Sequence, residues 1–396
     1  MQLVAYGAQD IYITGNPQIT FFKIVYRRHT NFAMETVQQS LTGTNVASKD
    51  SKKECSSIIS RNGDLVTNLY VTSSTPGIVN GDAIVDDCMI EIGGQKIDKH
   101  YKEWMQIWAE LTTSESKTLA YKNMTGSFSH SLNKTDAVSP VGANLIQIPI
   151  LFWFCRNPGL ALPLIALQYH EVKIKITLGK SDEIGTGTTD EKKCNAEIKL
   201  FVDYIYLDTD ERRRFAQISH EYLIEQLQIN TPEQLVEGHS KVKLIFNHPV
   251  KCLFWTTDSG GGVIDNIKLS LNGNDRFSEQ EFEYFRYVQP YENKLGNDKM
   301  FYPATRLWYG KNSTFYNYLS RFGPWNTLGI YSFSLDVSKH QPSGTCNFSR
   351  IDNACLHFYT FHDKNYSSNI GNIHIYALNY NVLRIMSGMG GLAYSN

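Results

Sequence analysis

Glu171-Val172-Lys173-Ile174-Lys175-Ile176-Thr177-Leu178 alternates polar and apolar residues without a break. A strand turns successive side chains to opposite faces. Val172, Ile174, Ile176 and Leu178 therefore share one face, and the charged residues take the other. That is the pattern of a half-buried antiparallel strand. The same reading predicts strands over 65–71, 196–206, 241–246, 263–271, 329–337, 356–361 and 373–385. Asn62-Gly63-Asp64, Gly93-Gly94, Asn157-Pro158-Gly159, Asn272-Gly273 and Pro342-Ser343-Gly344 mark turns between them. Helices are few. Asp98 is read as the cap of a helix over 99–111, where Tyr101, Trp104, Trp108 and Leu111 recur at helical spacing. A second helix follows Asp208-Thr209-Asp210. There Asp208 stands four before Arg212 and Asp210 four before Arg214, which predicts two ion pairs along the helix.

The strand pattern repeats once along the chain. Cys88-Met89-Ile90-Glu91-Ile92-Gly93-Gly94-Gln95 resembles Ile267-Lys268-Leu269-Ser270-Leu271-Asn272-Gly273-Asn274, and Ile92 and Leu271 are 179 residues apart. Each is followed by an aromatic, charged segment, with Tyr101, Trp104 and Trp108 in one and Phe282 and Phe285 in the other. The turn at Asn62 matches Asn247, and Gly159 matches Gly344, both 185 residues on. The strand from Ile198 matches the one from Ile373, 175 residues on. A period this long is outside the roughly 20–50 residues of solenoid repeats. It indicates one domain duplicated, with the junction near 209–225. Each copy holds about eight short antiparallel strands with long connections, which suits two four-stranded sheets packed as a jelly roll. An immunoglobulin-like sandwich, at about 100 residues per copy, fits less well.

Composition narrows the function. The 396 residues carry 38 Lys+Arg against 39 Asp+Glu, a net charge of −1, which opposes a main role in coating nucleic acid. Hydrophobic residues at 42% and charged residues at 19% exclude general disorder, and 12% aromatic content favours strands. The seven cysteines are scattered with no Cys-x-x-Cys pair, so they are read as mostly free thiols without a structural zinc site. The N-terminus lacks the basic n-region of a secretory signal. The apolar stretch 145–167 contains Arg156 and prolines 149, 158 and 163, which oppose a membrane span.

No catalytic constellation emerges. There is no Gly-x-Ser-x-Gly, phosphate loop or dinucleotide fingerprint. The eleven histidines form no His-x-His metal pair of the cupin type, and His357 and His362, five apart, fall on opposite strand faces. The chain is expected to be no enzyme and to need no cofactor or metal. Five Asn-x-Ser/Thr tripeptides begin at Asn123, Asn133, Asn312, Asn347 and Asn365, and of these Asn312 and Asn347 are the candidate glycan acceptors.

Several longer stretches resemble one family. Gly7-Ala8-Gln9-Asp10, Thr14 to Lys23 and Tyr26-Arg27-Arg28-His29-Thr30-Asn31-Phe32 look like the N-terminus of the major capsid protein of nucleocytoplasmic large DNA viruses. Gln341-Pro342-Ser343-Gly344-Thr345-Cys346-Asn347-Phe348-Ser349-Arg350-Ile351-Asp352-Asn353 resembles the signature of its C-terminal half. Segments 158–170, 220–227 and 381–391 look closest to algal-virus members. The resemblance implies an all-β double jelly roll, a homotrimeric capsomer of near-hexagonal outline, and an icosahedral shell around a membrane-enclosed DNA core. Neighbouring capsomers, minor capsid proteins and the inner membrane side are the implied partners, with no specific nucleic-acid binding. The implied location is the virion, after assembly in the host cytoplasm. Between Gly273 and Phe333 there is no glycine-rich insertion, which implies a low outward tower.

The combined expectation is an assembly arm over 1–25, a first jelly roll over 26–208, a helical linker over 209–223 and a second jelly roll over 224–396. Pro342, Ser343 and Gly344 are assigned a turn. Arg350 and Asp352, two apart, are assigned one strand face and a shared hydrogen-bond network. The alternative reading is a carbohydrate-binding jelly-roll attachment protein, and a metal-dependent cupin enzyme stands third.

Overall fold

The computed structural model describes residues 7–76, 78, 81–126, 145–185, 195–257, 263–295, 328–361 and 371–394. Asn312, Asn133, Asn365, Cys194, His362 and most of the expected low tower lie outside the described residues. The first half contributes β1 (Phe32–Gln39), β2 (Lys53–Ile58), β3 (Leu65–Ser73), β4 (Val85–Ile92), β5 (Gln95–Tyr101), β6 (Ile146–Ile150), β7 (Val172–Leu178) and β8 (Lys199–Leu207). The second contributes β9 (His220–Ile229), β10 (Gly238–Leu244), β11 (Pro249–Thr257), β12 (Val263–Leu271), β13 (Asn274–Asp275), β14 (Gly329–Ser332), β15 (Ala354–Phe361) and β16 (Asn372–Met386).

Sheet order repeats as the strands do. In the first half one sheet runs β1-β8-β3-β6 and the other β2-β7-β4-β5. In the second the orders are β9-β16-β11-β14 and β10-β15-β12-β13, so each label rises by eight. All these pairings are antiparallel. Both halves are jelly rolls. Even the minor pairings match: residues 162–163 pair with the start of β3 and residues 346–347 with the start of β11.

The alternation in β7 is realised as expected. Val172, Ile174, Ile176 and Leu178 are buried in the first core, while Lys175 reaches Glu91 on the outer face at 2.6 Å. Each such buried aliphatic contributes about 1.5–3 kcal/mol. Trp255, Phe285 and Phe358 sit at the centre of the second core, with ring centroids 5.3 and 6.2 Å from Trp255. Among the described residues no helix is long and apolar enough to cross a membrane.

Several expectations are corrected. Asp98 caps no helix, because it lies inside β5. The Gly93-Gly94 turn, at φ 57° and 81°, folds 95–101 back onto β4 before helix α1 (Lys102–Thr112) begins. Pairing along this hairpin takes residues that helical spacing would have assigned to α1. Helix α2 (Thr209–Gln217) is capped by Asp208, whose carboxylate accepts from the Thr209 amide at 2.8 Å. Its two expected ion pairs do not form. Arg212 instead reaches back to the buried Asp64 at 2.8 Å, and Arg214 pairs with Glu211 at 3.5 Å. β9 opens at His220, ahead of the expected boundary at 224. β14 stops at Ser332, where the Ser332 hydroxyl donates to the Ser334 carbonyl at 2.8 Å and closes a turn.

Candidate assembly interface

The two jelly rolls meet along an apolar seam built by α1. Trp104, Ile107, Trp108 and Leu111 fall on one face of that helix and are buried. They press on the outer face of the β9-β16-β11-β14 sheet, against Phe254, Tyr376, Leu378 and Cys252. The Trp104 ring stands edge-on to Phe254 at 5.1 Å and lies 5.9 Å from Tyr376. Aromatic pairs of this kind add about 0.5–1.5 kcal/mol each beyond their burial.

Beside the apolar seam runs a buried ionic lock. Glu225 of β9 takes Arg156 of the first jelly roll on one carboxylate oxygen at 2.5 Å and Lys251 of β11 on the other at 2.7 Å. Lys251 is fully buried, donates to the Lys339 carbonyl at 2.6 Å, and sits 5.4 Å over the Tyr380 ring. Arg156 stacks over Trp108 at 4.1 Å. His340 Nδ1 lies 3.8 Å from Glu225, and burial holds this imidazole below its usual pKa. Further along, Asp98 accepts from the Leu227 backbone amide at 3.0 Å, and the Gln226 side-chain Nε2 donates to the Ile97 carbonyl. The C-terminal hairpin Met386–Leu392 also folds onto the first jelly roll. There the Tyr169 amide donates to the Gly388 carbonyl at 3.0 Å, and His170 Nδ1 meets the Gly390 carbonyl at 2.8 Å.

The sequence-assigned residues lie elsewhere. Ser343 ties off the loop after β14, accepting from the Asp336 amide at 3.1 Å. Gly344 has φ 135°, and a Cβ there would stand 2.6 Å from the Phe333 carbonyl oxygen. Arg350 and Asp352 do not share a strand face. Arg350 ends a 3-10 turn, and Asp352 lies in the loop before β15, held through its amide by Asn272 Oδ1 at 3.1 Å. Asn347 is exposed, and its side-chain oxygen accepts from the Ser349 amide at 3.0 Å.

Among the described residues no three His, Cys, Asp or Glu side chains stand together to hold a metal. The six described cysteines are free thiols, and burial pushes Cys55 up to about 11 and Cys88 and Cys252 well above the usual range. Such thiols are poor nucleophiles. The arrangement joins surfaces.

Comparison with known proteins settles the family. The profile "Major capsid protein N-terminus" matches residues 20–208, and "Large eukaryotic DNA virus major capsid protein" matches 211–260 and 304–391. The chain belongs to the major capsid protein family of large eukaryotic DNA viruses. The major capsid protein of Pyramimonas orientalis virus is 48% identical, over 100% of this chain and 99% of that protein. A chain of the PBCV-1 virus capsid superposes with TM-score 0.75 at 34% identity, covering 95% of this chain and 100% of that one. The Faustovirus major capsid protein shares the fold at TM-score 0.67 and 11% identity, covering 96% and 94%. In this capsid protein the Ser343–Gly344 loop and the seam are thus parts of a double jelly roll. The signal for the seam was the helical Trp104/Trp108 spacing. Nothing short-range marked the partnership of Arg156, Glu225 and Lys251.

Proposed function

We infer that this capsid protein works as a homotrimer of near-hexagonal outline, tiling an icosahedral shell, and performs no catalysis. The observation that carries the reading is the fusion of two jelly rolls of identical strand order through one buried apolar seam. Three such chains supply six similar units around an axis, which suits hexagonal tiling. Neighbouring capsomers and minor capsid proteins are its partners, and assembly takes place in the host cytoplasm. The division proposed from sequence into arm, two jelly rolls and helical linker serves this purpose. In it, Pro342, Ser343, Gly344, Arg350 and Asp352 keep architectural roles, and Asn347 remains a candidate glycan acceptor.

The arm has a distinct part. Ile13, Ile19, Phe21 and Phe22 are 73–98% exposed on the single chain, an apolar content that calls for a partner surface. Light scattering of the purified protein at low micromolar concentration tests the trimer, with three times the 45.1 kDa chain mass expected. A particle of one chain mass refutes it. Deletion of residues 2–20 should leave the melting temperature nearly unchanged and abolish shell formation. Strong destabilisation would place the arm inside the fold.

A further inference from the structure

The outer face of the β10-β15-β12-β13 sheet holds a contact between two histidines that lie 118 residues apart in the chain. His239 is on β10 and His357 on β15. Alternation along β10 buries Ser240, Val242 and Leu244 and turns His239 and Lys241 outward. Along β15, Leu356 and Phe358 enter the second core, so His357 and Tyr359 take the outer face as well. The register sets His239 opposite Tyr359 and Lys241 opposite His357. The two histidines are therefore diagonal neighbours, a spacing of about 7–8 Å that long side chains bridge.

Their rings stack at 17° with centroids 5.3 Å apart, and Nε2 of His239 stands 3.1 Å from Nδ1 of His357. Between two neutral rings one nitrogen donates and the other accepts, so a single proton holds this contact. A metal ion suits the same place. Two nitrogens 3.1 Å apart, each bonded at about 2.0–2.1 Å, meet at an angle of about 95–100°, between square and tetrahedral geometry. On the far side of the ring, Nε2 of His357 lies 3.1 Å from the Ser270 hydroxyl of β12. An Nε2–H donated to that hydroxyl leaves Nδ1 bare and fixes the ring, which is what an outer oxygen does for a histidine ligand. The charges nearby leave the place accessible. Lys268 is held by Asp275 at 2.9 Å, the Tyr359 hydroxyl is bonded to Glu279, and both His239 and Lys241 are exposed.

We propose that His239 and His357 form a two-nitrogen site for a divalent transition-metal ion of the kind imidazole prefers, such as Zn2+ or Cu2+, with water completing the coordination. Two protein ligands make an exchangeable site, in keeping with the lack of any three-residue cluster among the described residues. Its consequence lies in the sheet. β10 is an edge strand, and an ion shared by His239 and His357 staples that edge to β15. Because the pair exists only in the folded chain, occupancy stabilises the second jelly roll. The inference is independent of the trimer.

The test titrates CuCl2 into metal-stripped wild type, H239Q, H357Q and S270A, read by calorimetry and electron paramagnetic resonance, with circular dichroism as the check on folding. Wild type should bind one equivalent with coupling to two imidazole nitrogens. H239Q and H357Q should each weaken that binding at least about tenfold and leave coupling to one nitrogen. S270A should keep both nitrogens and bind about 10–100-fold more weakly. Amide exchange along β10 should slow on adding copper to wild type and not to H239Q. Copper bound equally by wild type and both histidine variants, or coupled to fewer than two nitrogens in wild type, overturns the site. An S270A affinity equal to wild type overturns the positioning role of Ser270. Should H357Q fail to fold, the exposed His239 decides through H239Q alone.

Discussion

Glu225→Leu should be the most damaging single change at the seam, and the damage should come from Lys251. With Glu225 removed, Arg156 keeps its stacking on Trp108 and is 16% exposed, so its charge can turn to water. Lys251 is fully buried and keeps only the Lys339 carbonyl and the Tyr380 ring. An uncompensated buried charge costs about 3–5 kcal/mol. At about 2–4 °C per kcal/mol for a unit of 150–250 residues, the unfolding midpoint of the second jelly roll should drop by roughly 6–20 °C. Removing Lys251 as well, in E225L/K251M, takes away the stranded charge and should restore most of the loss, because apolar replacements of buried ion pairs are often neutral or stabilising. Arg156→Met alone should cost about 1 kcal/mol, as for a partly exposed partner. Scanning calorimetry of the four proteins measures this. If E225L and E225L/K251M melt together, or if E225L loses less than about 1 kcal/mol, Lys251 is not the source of the cost and the account of the lock is wrong.

Gly344→Ala forces a Cβ to 2.6 Å from the Phe333 carbonyl at φ 135°. It should cost about 1–3 kcal/mol in urea unfolding, and an unchanged midpoint would refute the strain argument. Burial holds His340 below its usual pKa, with Lys251 and Arg156 adding to the effect and Glu225 opposing it. Burial lowers His357 as well, helped by His239, Lys241 and Lys268. The unfolded chain then binds these protons first, so stability should fall as pH drops from about 6.5 through the lower folded values. H340Q/H357Q should flatten that slope between pH 7.5 and 5 in urea titrations, and an unaltered slope would remove both residues from the account. Asp336 is pushed up by burial but held at about 2 by hydrogen bonds from Ser338 and Lys294 and by the Lys294 charge. Its contribution is present above the unfolded value near 3.9 and is lost as pH falls toward 2. D336N should therefore lessen the loss of stability over that lower window alone, as read by the same titration.

Strands with one face in a core and one in solvent were plain in the sequence. β7 and β12 alternate because each lies in a sheet whose outer face carries charged residues, such as Lys175 beside Glu91 and Lys268 beside Asp275. β11 is different. Its residues from Val250 to Thr257 are all buried, since one face meets the second core and the other meets α1. A strand covered on both sides loses its alternation, and only the duplication pointed to it. β1 and β2 were illegible for the opposite reason. They lie at or beside sheet edges, and β1 buries only Gln39, so little apolar periodicity is required of them. Asp98 was misread because two signals overlapped. Helical aromatic spacing begins at Tyr101, but the hairpin after Gly93-Gly94 claims every residue up to it.

The seam shows why a contact between two domains is harder to read than a core. Period-two patterning reports which side of a strand leaves water, and it is silent on what covers that side. Arg156, Glu225 and Lys251 are each ordinary charges in their local sequence, and their meeting depends on β9 and β11 joining one sheet and on the Trp153–Arg156 helical turn of the first jelly roll docking beside it. The duplication supplies what local pattern lacks. Where Phe254 and Tyr376 are flanked by Leu227 and Leu378, the face is permanently covered by its own chain. Where the matching Tyr70 and Phe201 are flanked by Thr36 and Asp203, the aromatic pair stays half-buried and Asp203 accepts from Thr36 at 2.6 Å. Equivalent positions in the two copies thus carry apolar side chains where the chain seals the face against itself and hydrogen-bonding ones where it does not.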